Sequence, residues 1–339
     1  YCLPEYQVGK NAAGLLRRAE KAREEGDLDE SARLRMRYLS HVKNEPEQLK
    51  QTAIDLKKSL FDKVINRREY SRKNVDSAVA YITKAVTFKG QDEDVRREAA
   101  DFWFQFRKFD VAVENLEALG SLHLEKRRNY TEEEKRDRWA EVWTEEDLLT
   151  YINGLRLMGG PGEERSIKEF ERALGWSYLE SKFVGEGENP NLLPIYRSLV
   201  VLLMQRDLDR DAAVKVLDKM VERNKEDPQA YLTRSQLILF VLREDGIEAS
   251  HKDIQAAYEL APNDIQVMQA MSNMMLETDR TDEAKQLVEK GLEQAEERFE
   301  KARLYQLLAQ INLRSEDKEG ALEVLERANR DVPRDPDLL

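Results

Sequence analysis

The chain has 339 residues, 41% of them hydrophobic and 36% charged, with 67 acidic against 55 basic side chains and a formal net charge of −12. That acidity argues against nucleic-acid binding, since no basic stripe dominates, and the single cysteine, Cys2, excludes an internal disulfide and a multi-cysteine zinc site. Fifteen glycines, nine prolines and a mean hydropathy of −0.71 argue against a turn-rich β fold and for slender helical layers that bury a narrow stripe.

Along the chain, Leu15 and Ala19 lead into Gly26-Asp27-Leu28-Asp29-Glu30-Ser31, which reads as a helix, a turn and a second helix. Arg35 then stands at a position where the helical spacing calls for an apolar residue. A long helix is expected over Glu47–Arg68, followed by one carrying Ala78, Ile82 and Ala85. Ala100 and Trp103 fall on a further first helix, and Arg107-Lys108-Phe109-Asp110-Val111-Ala112 gives the turn and second helix that continue to Leu116 and Leu119. Five aromatics here, Phe102, Trp103, Phe104, Phe106 and Phe109, cannot share one side of a helix. They read as core between hairpins, with one or two left exposed for a partner.

Residues 126–143 are highly charged and end in Trp139, Val142 and Trp143; Lys126-Arg127-Arg128 reads as a solvated helix end. Helices are expected over 145–158 and 165–181, around a flexible turn at 159–164. Gly185-Glu186-Gly187-Glu188-Asn189-Pro190 then reads as a hinge. It divides an irregular N-terminal array, residues 1–182, from a regular C-terminal one, residues 191–339.

The C-terminal half is periodic. Equivalent positions recur at Pro194, Pro228, Ile265 and Ala302, in steps of 34, 37 and 37 residues, the mark of stacked helix pairs. Ser235, Ser272 and Ala309 are expected where the two helices of a pair cross, facing Ser250, Ala284 and Ala321. Ala257, Gly291 and Ala328 let the next pair approach, and larger residues such as Met271, Met274 and Met275 fill the grooves. Three extra residues are expected in the turn around Glu244-Asp245-Gly246.

This spacing of small, aromatic and proline positions resembles the tetratricopeptide repeat (TPR), most closely over residues 228–335. The resemblance implies an all-α, right-handed α-α superhelix, a TPR-like solenoid of about eight helical hairpins. Tyr6-Gln7-Val8-Gly9-Lys10-Asn11-Ala12-Ala13-Gly14-Leu15-Leu16 and Asp218-Lys219-Met220-Val221 are similar to stretches of large TPR proteins of planctomycete-type bacteria. That narrower resemblance implies an extracytoplasmic array tethered by a membrane helix upstream; a cytoplasmic array is the alternative. Asp335-Pro336-Asp337-Leu338-Leu339 falls where another repeat begins, so the array is expected to continue. No apolar run within the chain approaches the ~20 residues that cross a bilayer.

Catalytic signatures are weak throughout. There is no HExxH, and Gly159-Gly160-Pro161-Gly162 lacks the trailing Gly-Lys-Ser/Thr of a phosphate loop. His41, His123 and His251 lie in different repeats, and acidic pairs such as Glu163-Glu164 and Glu296-Glu297 sit among other charges. Asn129-Tyr130-Thr131 fits a glycosylation sequon. No catalytic, metal or cofactor-binding residue is assigned and no cofactor is expected. In a TPR the first helices line the concave face. Their outward positions here are Gln229 and Gln236, then Gln266, Gln269 and Asn273, then Arg303, Gln306 and Gln310. Amides both donate and accept, so such a ladder suits the backbone of an extended peptide; the alternative is helix-forming glutamine on a wet face. The lysines with which some TPR families grip a C-terminal carboxylate are absent. The chain is therefore read as a non-catalytic scaffold for a protein or peptide partner. The alternatives are the recruiting module of a larger enzyme or assembly, and a self-associating solenoid.

Overall fold

The computed structural model describes residues 3–42, 44–65, 72–126 and 143–332. They form eight consecutive helical hairpins. The first four are α1 (Leu3–Glu24) with α2 (Leu28–His41), α3 (Pro46–Ile65) with α4 (Arg72–Lys89), α5 (Glu93–Gln105) with α6 (Phe109–Lys126), and α7 (Glu145–Met158) with α8 (Pro161–Leu174). A short hairpin of β1 (Trp176–Ser177) and β2 (Lys182–Phe183) follows, with Trp176 opposite Phe183. The last four helical hairpins are α9 (Leu193–Arg206) with α10 (Arg210–Arg223), α11 (Pro228–Leu242) with α12 (Ile247–Leu260), α13 (Ile265–Glu277) with α14 (Thr281–Gln294), and α15 (Arg298–Arg314) with α16 (Lys318–Asp331). The chain divides into two compact units, Tyr1–Glu169 and Phe170–Leu339.

One turn chemistry recurs within the hairpins. A residue in the left-handed region ends the first helix at Gly26, Arg107, Asp279 and Glu316. The following backbone N–H then reaches back to a carbonyl five residues earlier, as in Asp27 to Ala22 (2.8 Å), Lys108 to Trp103 (2.8 Å), Arg280 to Met275 (2.8 Å) and Asp317 to Asn312 (2.9 Å). Two of those residues, Asp27 and Asp317, also cap the second helix, accepting from Glu30 N (2.9 Å) and Gly320 N (2.8 Å). The sequence Gly26-Asp27 and Glu316-Asp317 thus closes one helix and opens the next. Around Glu244-Asp245-Gly246 the insertion forms a 3₁₀ turn, Arg243–Gly246.

In the first unit the core gathers Ala32, Leu60, Ile82, Ala85 and Phe102, and Phe102 stacks on Phe106 at 4.7 Å and meets the edge of Trp103 at 5.1 Å. Burying a ring of this size contributes about 2–3 kcal/mol. Phe104 packs against Phe109 at 5.4 Å. None of the five aromatics is exposed, so the one or two expected to face a partner are instead absorbed into packing. Arg35 is buried at 3% exposure and faces Asp55, fully buried, whose carboxylate accepts from Ser31 Oγ (2.7 Å) and Gln51 Nε2 (2.9 Å). The polar residue at an apolar position is therefore one half of an interior ion pair. Of the charged stretch 126–143 only Trp143 has a described side chain, and it is buried against Tyr151; Trp139, Val142 and the sequon at 129–131 lie outside the described residues.

In the second unit the small positions behave as the spacing requires. Ser235, Ser272, Ala309, Ser250, Ala284, Ala321, Ala257 and Ala328 are all buried. A Cβ on Gly291 of α14 would stand 2.9 Å from Met268 Sδ and 3.5 Å from Leu304 of the following hairpin. Met271, Met274 and Met275 are buried core.

The stretch 165–190 differs from the sequence expectation in two ways. The helix begins at Pro161, so the turn is shortened to Gly159-Gly160, and it stops at Leu174, after which the chain pairs β1 with β2. The supposed hinge, 185–190, is a strap tied to the end of α8. Glu188 N donates to Arg172 O (3.0 Å), Asn189 N to Ala173 O (2.8 Å) and Val184 N to Gly175 O (2.8 Å). Gly175 (φ 72°) and Gly187 (φ 75°) make this crossing possible: a Cβ on Gly187 would lie 2.4 Å from the carbonyl carbon of Leu174 and 2.5 Å from Ala173 O. Gly187→Ala is therefore expected to cost about 3 kcal/mol, from left-handed strain plus a backbone clash that no rotamer relieves. Urea titration followed by circular dichroism measures it, and a change under about 1 kcal/mol would mean the strap does not close this way.

Candidate functional site

The eight sequence-assigned positions lie on α11, α13 and α15, the first helices of the last three pairs. These first helices approach one another directly, α11 to α13 and α13 to α15, besides packing on their own partners and on the preceding second helices. Being flanked on several sides buries more of each first helix than of the second helix it pairs with. On α15 eight residues are buried, from Ala302 to Asn312, whereas α16 buries Ala321, Val324 and Ala328. What a first helix leaves to solvent is consequently a narrow stripe.

The assigned residues occupy that stripe. Gln236, Gln266, Gln269, Arg303 and Gln310 are exposed, and Gln229, Asn273 and Gln306 are half-buried. They fall into columns across neighbouring helices. Gln229 and Gln266 each stand two residues after a capping aspartate, to which they donate their backbone N–H (Asp227 at 2.9 Å, Asp264 at 2.8 Å), and Arg303 is the third of that column. Gln236, Asn273 and Gln310 make a second column, seven residues or about 10 Å further along each helix. Asn273 is already engaged, its Oδ1 accepting from Arg314 Nη1 at 2.8 Å. This bond ties α13 to α15 across the face.

Four further residues share the surface and were missed from sequence: Phe240, Phe299, Leu313 and Arg314, all exposed. Phe240 is four residues beyond Gln236 and Arg314 four beyond Gln310, so continuing the i, i+4 stripe by one turn would have found both. The Arg303 guanidinium lies over the Phe299 ring at 5.1 Å, and Arg243 stands 5.9 Å from the Phe240 ring centre. The face is thus a row of amides bounded by aromatic rings, with two arginines on α15.

Two grooves elsewhere in the molecule are spanned by internal ion pairs. One of about 430 Å³, between α14 and α16, is spanned by Arg327 gripping Glu289 through two bonds of 2.7 Å and by Lys285 on Asp317 at 3.1 Å. The Glu289 carboxylate holds the Arg327 guanidinium above its ordinary range. In the first unit a cavity of about 200 Å³ holds Lys57, paired with Glu98 and with Asp101 (2.7 Å), and Arg97, forked onto Asp147. Tyr151 nearby is pushed up to about 12, first by burial and then by the negative Glu117. Among the described residues no cluster of His, Cys, Asp and Glu is arranged to hold a metal ion.

The fold defines the class: an all-α helical-repeat scaffold of TPR-like hairpins. No family model matches the chain, and no curated protein matches it in sequence. Among solved structures it is similar to a tetratricopeptide repeat protein from Parabacteroides merdae, at 13% identity over 97% of this chain and 96% of that one, TM-score 0.41. It is also similar to the C-terminal part of a TPR repeat-containing protein from Cytophaga hutchinsonii, at 15% identity over 78% and 93%, TM-score 0.37. A third similar structure is the human IFIT1 dimer with m7Gppp-AAAA, at 12% identity over 92% of this chain and 67% of that one, TM-score 0.40.

Proposed function

We propose that this chain is a non-catalytic scaffold whose first-helix face on α11, α13 and α15 forms the concave surface that holds an extended protein segment. One observation carries the reading. On three successive first helices equivalent positions of the solvent-facing stripe are mostly amides, Gln229 and Gln266 in one column, which Arg303 completes, and Gln236, Asn273 and Gln310 in the next. Side chains that both donate and accept can satisfy a peptide backbone whatever its sequence, while charges there would demand specific partners. The net charge of −12 favours protein over nucleic acid as the occupant. The resemblance of Tyr6–Leu16 to tethered TPR proteins supports an array held outside the cytoplasm, and among the described residues no helix is long and apolar enough to cross a membrane.

Affinity capture from the native source, with this chain as bait, supplies the partner. Combined alanine replacement of Gln236, Asn273 and Gln310 is then expected to weaken binding by about thirtyfold, roughly one net hydrogen bond of about 0.7 kcal/mol per site. Loss of the exposed Gln236 and Gln310 should hardly move the thermal melt, and loss of the half-buried Asn273 with its bond to Arg314 should lower it only slightly. Unchanged affinity would remove the ladder from the interface. A self-associating scaffold is favoured by one feature, the exposed Leu313, Leu322 and Leu325 of the last hairpin. Light scattering over a concentration series tests it, and a monomer throughout would rule it out.

A further inference from the structure

We propose that the face on α13 and α15 selects acidic segments, reading two carboxylates of an extended peptide with Arg303 and Arg314. This rests on the peptide-binding reading above and names the chemistry of the peptide. The chain carries more carboxylates than basic groups, and its placed arginines are typically neutralised by them: Arg97 by Asp147, Arg234 by Asp253, Arg327 by Glu289, Arg35 by Asp55. Arg303 and Arg314, like Arg96 and Arg243, make no such ion pair among the described residues. Yet Arg303 and Arg314 are both held, and held by neutral groups. Arg303 is stacked over Phe299, and Arg314 uses one nitrogen on the Asn273 amide oxygen.

Such partners fix a guanidinium without discharging it. A ring face leaves the N–H edge of Arg303 directed outward, and the Asn273 bond leaves Arg314 with further N–H donors for a fork onto a carboxylate. Holding the side chain beforehand lowers the ordering cost that makes loose surface ion pairs nearly worthless. The two arginines are eleven residues apart on one helix, with Gln306 and Gln310 between them on the same stripe. At a rise of 1.5 Å per residue that is about 16 Å, which an extended peptide covers in about five residues. Alternate side chains of an extended peptide face opposite ways, so the occupant that fits has acidic side chains at positions i and i+4, about 13 Å apart and extended by the long Glu and Arg side chains, its intervening backbone meeting the glutamines.

The test is fluorescence anisotropy of the full chain with two matched sets of labelled ten-residue peptides. One set carries Glu at positions 3 and 7 in varied polar backgrounds, and the other carries Gln at both. The acidic set is expected to bind about tenfold more tightly per engaged arginine, with the preference shrinking as salt is raised. Arg303→Gln or Arg314→Gln should each remove about half of the preference, on a logarithmic scale, with the circular dichroism spectrum unchanged. Equal binding of the two sets would overturn the charge selection while leaving the amide ladder standing. No binding by any peptide in either set would overturn both.

Discussion

Asp55→Ala is expected to lower the unfolding free energy by about 4 kcal/mol. Asp55 is fully buried, accepts from Ser31 and Gln51, and stands 3.6 Å from the guanidinium of Arg35 and 3.4 Å from that of Arg23. Arg23 is partly exposed and can turn to water. Arg35 cannot: its remaining bond is to Gln48, and its side chain is 4% exposed. Truncating the carboxylate strands that charge in the interior, and the penalty is the stranded charge more than the lost attraction. The paired replacement Arg35→Met with Asp55→Leu should recover at least half of the loss, since an apolar pair of similar volume needs no counter-charge. Urea denaturation followed at 222 nm reads both variants. A loss under about 1 kcal/mol for Asp55→Ala would show that Arg35 finds water or another anion.

The hairpin array was legible because its signals are short-range. Gly26-Asp27 and Glu316-Asp317 encode a left-handed stop and a cap in adjacent residues, and the small residues at 235, 272 and 309 recur at the period of the array. Arg35 was visible as an exception but not as a pair, because Asp55 is twenty residues away on another helix and many acidic residues could have served. The ladder positions followed from register, and five of the eight are exposed while Gln229, Asn273 and Gln306 are half-buried. Arg314 and Phe240 were missed by stopping the stripe one turn early. The segment 175–190 was illegible for a different reason. Glycine, glutamate and proline mark flexible chain when read locally, and what makes this stretch a strap is an arginine more than thirty residues later. Nothing in the local pattern of Gly185–Pro190 announces Arg223.

Arg223→Met is the second large loss, again about 4 kcal/mol, and it tests that strap. The Arg223 side chain is 6% exposed at the end of α10. Its Nη1 donates to Leu174 O (2.8 Å) and to Tyr196 Oη (2.9 Å), its Nη2 donates to Gly185 O (3.0 Å), and Glu186 lies 3.1 Å away. Its guanidinium also lies over the Phe183 ring at 5.0 Å. One side chain thus joins the last turn of α8, the β-hairpin, the strap and α9. Methionine fills much of the same volume but satisfies none of the acceptors, so the part-buried Leu174 carbonyl loses its donor while the exposed Gly185 carbonyl turns to water. Lysine should restore little, because a single ammonium cannot span the fork that reaches Leu174 and Gly185 together. The β-hairpin should loosen before the helices do. Trp176 is fully buried and meets Phe183 edge-on at 5.0 Å, so its near-ultraviolet dichroism should fade at lower urea than the helical signal. In the native chain the two signals should fall together in this region. If Arg223→Met leaves the tryptophan signal and the midpoint where they were, the guanidinium is a passenger and Gly175 and Gly187 alone hold the crossing.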